Sequence, residues 1–216
     1  MSPKRIYRRL LRVRGRAGWW PGESAFEVCV GAILVQNTAW PNADRALRAL
    51  KERGMLSYEG LRGATAGEIA PVIRSSGTFN VKARRVAAFV DFLGRRYHGR
   101  AESMAREEPW ELRRHLLAVP GIGPETADCI ALYAAGHPLF VVDGYTRRVF
   151  SRLGLIHGDE SYDEVQRFFM RRLPGDPGLF NDYHAQIVGL AQQSCRARPL
   201  CTGCPLDDVC PKKGVA

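Results

Sequence analysis

No apolar run in this 216-residue chain approaches the roughly 18 residues of a membrane-spanning helix, so no membrane partner is expected. Sustained period-two alternation is missing as well, which removes half-buried strands and predicts an all-α fold. There is no internal repeat and no low-complexity tract, so neither a solenoid nor a disordered array is expected. Acid is missing from the first 16 residues, which carry Lys4, Arg5, Arg8, Arg9, Arg12, Arg14 and Arg16. Those seven cations make up most of a net charge of +10, from 32 basic and 22 acidic residues. No hydrophobic secretory signal is present, which makes the cytoplasm, on the nucleoid, the expected compartment. Cysteine is scarce before residue 195: Cys29 and Cys129 lie inside apolar helical patterns and read as small buried side chains.

The remainder has the balance of a globular protein, 45% apolar and 25% charged, and is long enough to bury a core in one domain or two small ones. Ile6, Leu10, Leu11 and Val13 punctuate the basic N-terminal segment, which can dock as an amphipathic helix. Its charge suits a solvated face, an organelle presequence or a polyanion partner, and the turn described next favours the polyanion. Trp19-Trp20-Pro21 follows, where one indole can pack while the other lines a cleft. Phe26 to Leu34 reads as a buried helix running into the polar cluster Gln36-Asn37-Thr38. Ala43 to Arg53 is an amphipathic helix closed by Gly54. Capping boxes at Thr65 and Ser161 open helices to about Ser75 and over Val165 to Leu173. Val86, Phe89, Val90 and Leu93 mark the core face of another helix. Asn181 to Ser194 is the last.

The organising stretch is Leu116 to Val149. Val119-Pro120-Gly121-Ile122-Gly123-Pro124 is a tight turn in which glycines permit conformations closed to other residues and let a ligand approach the main chain. Glu125 to Ala135 then reads as a helix, whose first N–H groups offer an anion site suited to a nucleic acid phosphate. An ordinary interhelical turn has the same local pattern. Val141-Val142-Asp143 places one carboxylate at a helix start, where it can cap the helix or act in chemistry.

Cys195, Cys201, Cys204 and Cys210 form C-x5-C-x2-C-x5-C. Four thiols within 16 residues of a chain without a signal peptide favour a metal centre over disulfides. Spacing leaves structural zinc and an iron–sulfur cluster equally open.

Taken together, these motifs resemble the endonuclease III superfamily of DNA glycosylases over about residues 6–211. Ala118 to Ala127 matches its L-P-G-V-G-x-K-T-A hairpin, and Val142-Asp143-Gly144-Tyr145 matches V-D-T-H. Gly77-Thr78-Phe79-Asn80-Val81-Lys82-Ala83 is similar to G-L-Y-N-x-K-A. The cysteines match C-x6-C-x2-C-x5-C, one residue shorter in the first gap. The resemblance implies a two-lobed helix-hairpin-helix fold with a C-terminal iron–sulfur cluster loop. One lobe would span residues 18–137, the other residues 1–17 plus 138–216, with the DNA cleft between them. It implies a monomer acting on double-stranded DNA with damaged bases. It further implies Asp143 as catalytic aspartate and a 4Fe-4S cluster on the four C-terminal cysteines. Gln36, Asn37, Lys82, Gly121, Ile122 and Gly123 would contact DNA.

Glu125 stands where bifunctional members carry a Schiff-base lysine. A carboxylate cannot form an imine, so a monofunctional glycosylase with little strand cleavage is expected. Trp19-Trp20-Pro21, together with Gly121-Ile122-Gly123-x-Glu125-x-Ala127-Asp128, looks like the related 3-methyladenine glycosylases. Trp19, Trp20, Glu125 and Tyr145 are therefore placed around a pocket for a cationic alkylated purine. Oxidised pyrimidines cleaved with weak lyase action, or lesion binding without turnover, are the competing expectations.

Overall fold

The structure, a computed structural model, describes residues 1–17 and 22–215. Every regular element among the described residues is helical. None of these helices is long and apolar enough to cross a membrane. The chain divides into two compact units, one of Met1–Trp19 with Pro138–Ala216 and one of Trp20–His137. Trp19 and Trp20, the proposed pocket aromatics, lie outside the described residues.

The discontinuous unit begins with α1 (Pro3–Arg14), whose buried stripe is Pro3, Ile6, Tyr7 and Leu10. Val13 does not join that stripe and is 59% exposed. The helical period carries the inner face from Leu10 to Arg14 instead. There the Arg14 guanidinium donates to Gln186 Oε1 at 3.0 Å.

The second unit holds α2 (Ala25–Leu34), α3 (Trp40–Glu52), α4 (Tyr58–Leu61), α5 (Ala66–Val72), α6 (Phe79–Tyr97), α7 (Pro109–Leu117) and α8 (Pro124–Cys129). Val28 to Leu34 of α2 are all buried. Packed against α3, α6 and the turn that follows α8, this helix forms the centre of the unit. The Thr65 capping box forms as expected, but α5 stops at Val72. Pro71 offers no N–H to continue the ladder, and a 3₁₀ turn, Arg74–Ser76, takes over. The helix expected over residues 125–135 is α-helical only to Cys129, then widens to a π turn over Ile130–Ala134. It ends where His137 N–H reaches back to Ala131 O with Gly136 at φ +72°, a left-handed cap that favours glycine.

The chain returns to the first unit as α9 (Gly144–Arg152), α10 (Tyr162–Met170) and α11 (Pro177–Gln193). Phe140 stacks on Phe169 at 4.1 Å, and Phe150 meets Phe169 edge-on at 4.6 Å. Tyr183 from α11 packs against Tyr7 of α1 at 5.0 Å. Aromatic burial of this kind dominates a small core. α11 starts earlier than expected because Pro177 occupies its first turn, behind an Asp176 cap. α3 likewise starts with Pro41 in its first turn. Proline's fixed φ suits that position.

Candidate functional site

Asp143 is the N-cap of α9. One carboxylate oxygen, Oδ1, accepts the Thr146 N–H at 2.6 Å. The other, Oδ2, lies 3.4 Å from His184 Nε2, and the Asp143 side chain is only 12% exposed. Burial by itself would push the Asp143 carboxyl up. The His184 imidazole and the Thr146 N–H outweigh that and hold it below the usual carboxylate range. Capping and chemistry are therefore compatible: the cap fixes one oxygen and turns the other toward the histidine. His184 lies on the buried face of α11. A single histidine in a mostly buried helix gave no periodic signal, so sequence reading passed over it. Tyr145, half-buried in the first turn of α9, has the Arg148 guanidinium 5.1 Å from its ring centroid.

In the other unit the glycine turn is tied to the end of α2. Gln36 Nε2 donates to Gly121 O at 3.1 Å and to Thr126 Oγ1 at 2.9 Å. The Gln36 amide oxygen accepts from Arg85 of α6, a residue that sequence reading did not single out. Gly121 sits at φ +87°, and a Cβ there would run into Arg85 Cγ. Gly123 differs: its backbone is extended at φ −95°, and a Cβ would meet nothing within 4 Å. The backbone N–H groups of Gly121 and Gly123 have no acceptor among the described residues. Glu125 is exposed at the start of α8. Asn37 is exposed in a left-handed conformation, φ +51°.

Two expected DNA contacts need correction. Lys82 is 1% exposed, and its ammonium donates to Leu34 O at 2.8 Å and Ser76 O at 2.6 Å. Burial, with Arg85 nearby, pulls the Lys82 amine down to about 8. It fastens α6 to α2 and cannot meet a phosphate. Ile122 is 5% exposed, and its N–H is taken by Val119 O at 3.0 Å. It anchors the turn from below, so only its neighbours can face a ligand.

Cys195, Cys201, Cys204 and Cys210 form no disulfide, are half-buried and line one cavity with Pro199 and Leu200. Burial pushes the thiols of Cys204 and Cys210 up, and the neighbouring cysteines push the same way. Among the described residues, no three His, Cys, Asp or Glu side chains are close enough to hold a single metal ion. Arg152 donates to Cys195 Sγ at 3.3 Å and to Arg196 O at 2.6 Å.

An all-helical chain with a glycine-turned hairpin in one unit and a capped carboxylate in the other falls in the class of helix-hairpin-helix DNA-binding proteins. Residues 30–175 match the family model described as HhH-GPD superfamily base excision DNA repair protein, and the chain belongs to that family of DNA repair glycosylases. A Methanocaldococcus jannaschii protein whose name describes a DNA repair glycosylase is 41% identical over 211 residues, covering 97% of this chain and 96% of its own. Endonuclease III of Sulfolobus acidocaldarius is 28% identical over 189 residues, 87% of this chain and 82% of its own. Among solved structures, Helicobacter pylori 3-methyladenine DNA glycosylase bound to 1,N6-ethenoadenine has a TM-score of 0.79 at 25% identity, covering 89% of this chain and 98% of that one. An endonuclease III in a non-covalent DNA complex shares the fold, with a TM-score of 0.83 at 24% identity over 98% and 96% of the two chains.

Proposed function

We propose that this glycosylase is monofunctional: it flips a damaged base out of duplex DNA and hydrolyses the N-glycosidic bond, with alkylated purines such as 3-methyladenine as its substrates. The observation that carries this is Asp143, a nearly buried carboxylate kept ionised beside His184. When the C1′–N bond breaks, its electron pair leaves with the base and positive charge develops on the sugar. A fixed anion stabilises that charge, or takes the proton of the water that attacks C1′. Glu125, in place of an amine at the start of α8, supports hydrolysis without strand cleavage. The Helicobacter pylori relative, whose bound ligand is an ethenoadenine, supports a purine pocket. Gln36, Asn37, Gly121 and Gly123 would contact the DNA, and Trp19, Trp20, Glu125 and Tyr145 would line the base pocket.

Cys195, Cys201, Cys204 and Cys210 would hold a 4Fe-4S cluster, supported by their shared cavity. When bound, the cluster supplies a covalent tie across the C-terminal loop. The endonuclease III relatives support the competing reading, an endonuclease III-type enzyme, for which the resemblance implies oxidised pyrimidines.

Base release from duplexes carrying a methylated purine or an oxidised pyrimidine, read with and without alkali, separates these readings. Methylpurine loss with breaks only after alkali is the expected result. Breaks at the oxidised pyrimidine without alkali would overturn it. Asp143→Asn is expected to lower base release by roughly 10²–10⁴-fold while DNA binding persists. If the wild-type protein bound lesions without turnover, the catalytic role would be excluded.

A further inference from the structure

We propose that the outward face of α1 is a DNA-binding surface separate from the hairpin, one that takes the phosphate backbone of duplex DNA without reading its sequence. The inference rests on the DNA repair reading above.

Six of the seven cations at the start of the chain lie on α1 and divide into two kinds, while Arg16 is exposed beyond its end. Arg9 bonds Pro205 O and Asp208, and Arg14 bonds Gln186 and Gln193. Both are used inside the protein. Tyr7 OH also donates to Asp182 Oδ2 at 2.9 Å, and Tyr183 OH donates to Pro3 O at 2.8 Å, so α1 is pinned along its inner face. Lys4, Arg5, Arg8 and Arg12 are exposed. Among the described residues they have no side-chain hydrogen bond or ion pair. Positions 4, 8 and 12 fall on one stripe, with position 5 beside it.

Left to itself, this arrangement is unfavourable. Like charges one helical turn apart repel, and cations in the first turn oppose the helix dipole. On other helices several exposed arginines pair with an acid within one turn: Arg48 with Asp44, Arg95 with Asp91 and Arg114 with Glu111. α1 has no acid at all. A polyanion would offset the repulsion. Duplex DNA fits better than an anionic bilayer, because a membrane-surface helix needs a free apolar face and that of α1 is buried. The stripe runs about 12 Å, at 1.5 Å per residue. That length meets about three phosphates of one strand, at 3.4 Å rise each.

The test is the salt dependence of binding to a short undamaged duplex between about 50 and 200 mM salt. The wild type is compared with the triple variant Arg5→Gln, Arg8→Gln, Arg12→Gln. The slope of log Kd against log salt is expected to become shallower by about two, with weaker binding at low salt. Melting of the triple variant should match or exceed that of the wild type, since repulsion is removed. The pair Arg9→Gln, Arg14→Gln should instead melt lower and keep the wild-type slope. Equal slopes and affinities for the wild type and the triple variant would overturn the proposal. So would an unchanged slope with lost binding to phosphatidylglycerol vesicles, which would assign the face to a membrane. A wild type without salt-dependent DNA binding would sink the DNA repair reading itself, and this proposal with it.

Discussion

His184 and Lys82 show how burial changes what a polar side chain does. His184 stands 3.4 Å from the carboxylate oxygen that the helix cap leaves available. If it positions Asp143, His184→Leu should slow single-turnover base release by roughly 10- to 100-fold, through loss of the polar contact to the carboxylate. DNA affinity should hold, and His184→Gln should recover most of the rate. Loss of DNA binding in step with the rate would make the histidine merely structural. Lys82 has the opposite fate, a cation turned into an internal fastener. Lys82→Met leaves two buried carbonyl oxygens without a donor, which costs about 2–4 kcal/mol, readable by urea unfolding. Its amine titrates near 8 in the folded protein against an ordinary 10.5. Between those values the unfolded chain binds the extra proton, so stability rises with pH across that window. The neutral amine still has N–H groups for both carbonyls. Lys82→Met should lack the rise.

At the scale of elements, the glycine turn separates two uses of the same residue. Gly121 is required by the backbone and by Arg85 together. Gly121→Ala should destabilise the protein by about 1–3 kcal/mol, lower its melting temperature and weaken DNA binding. Gly123 has an extended backbone and open space before it. Gly123→Ala should melt like the wild type yet bind DNA more weakly, because a methyl group would stand where a phosphate approaches. Equal DNA affinity for Gly123→Ala and wild type would remove the hairpin from the interface. Both capping boxes formed where their side chains stood in sequence. Element starts were less legible. Pro41 and Pro177 open helices in the structure, ahead of the starts read from the apolar pattern, since a proline stops a helix only when the chain already runs helical before it.

For the whole molecule, the four C-terminal cysteines carry the most direct test. Purified protein should contain iron and acid-labile sulfide, and Cys204→Ser should lose both, along with visible absorbance and thermal stability. Zinc without sulfide would overturn the cluster. Composition and local pattern determined a good deal by themselves: the all-helical class, the caps, the glycine turn, the cysteine spacing and the family resemblance. These depend on short-range backbone chemistry and on periodicity, which a linear string records. Only the tertiary structure decided which polar groups lie inside. It brought His184 from position 184 to the carboxylate at 143 and set Arg85 against Gly121. It also closed Lys82 and Ile122 away from solvent and sorted the N-terminal cations into inner and outer sets. Such outcomes depend on which helix faces meet across long stretches of chain, and desolvation then fixes whether a charge serves folding or is left for a partner.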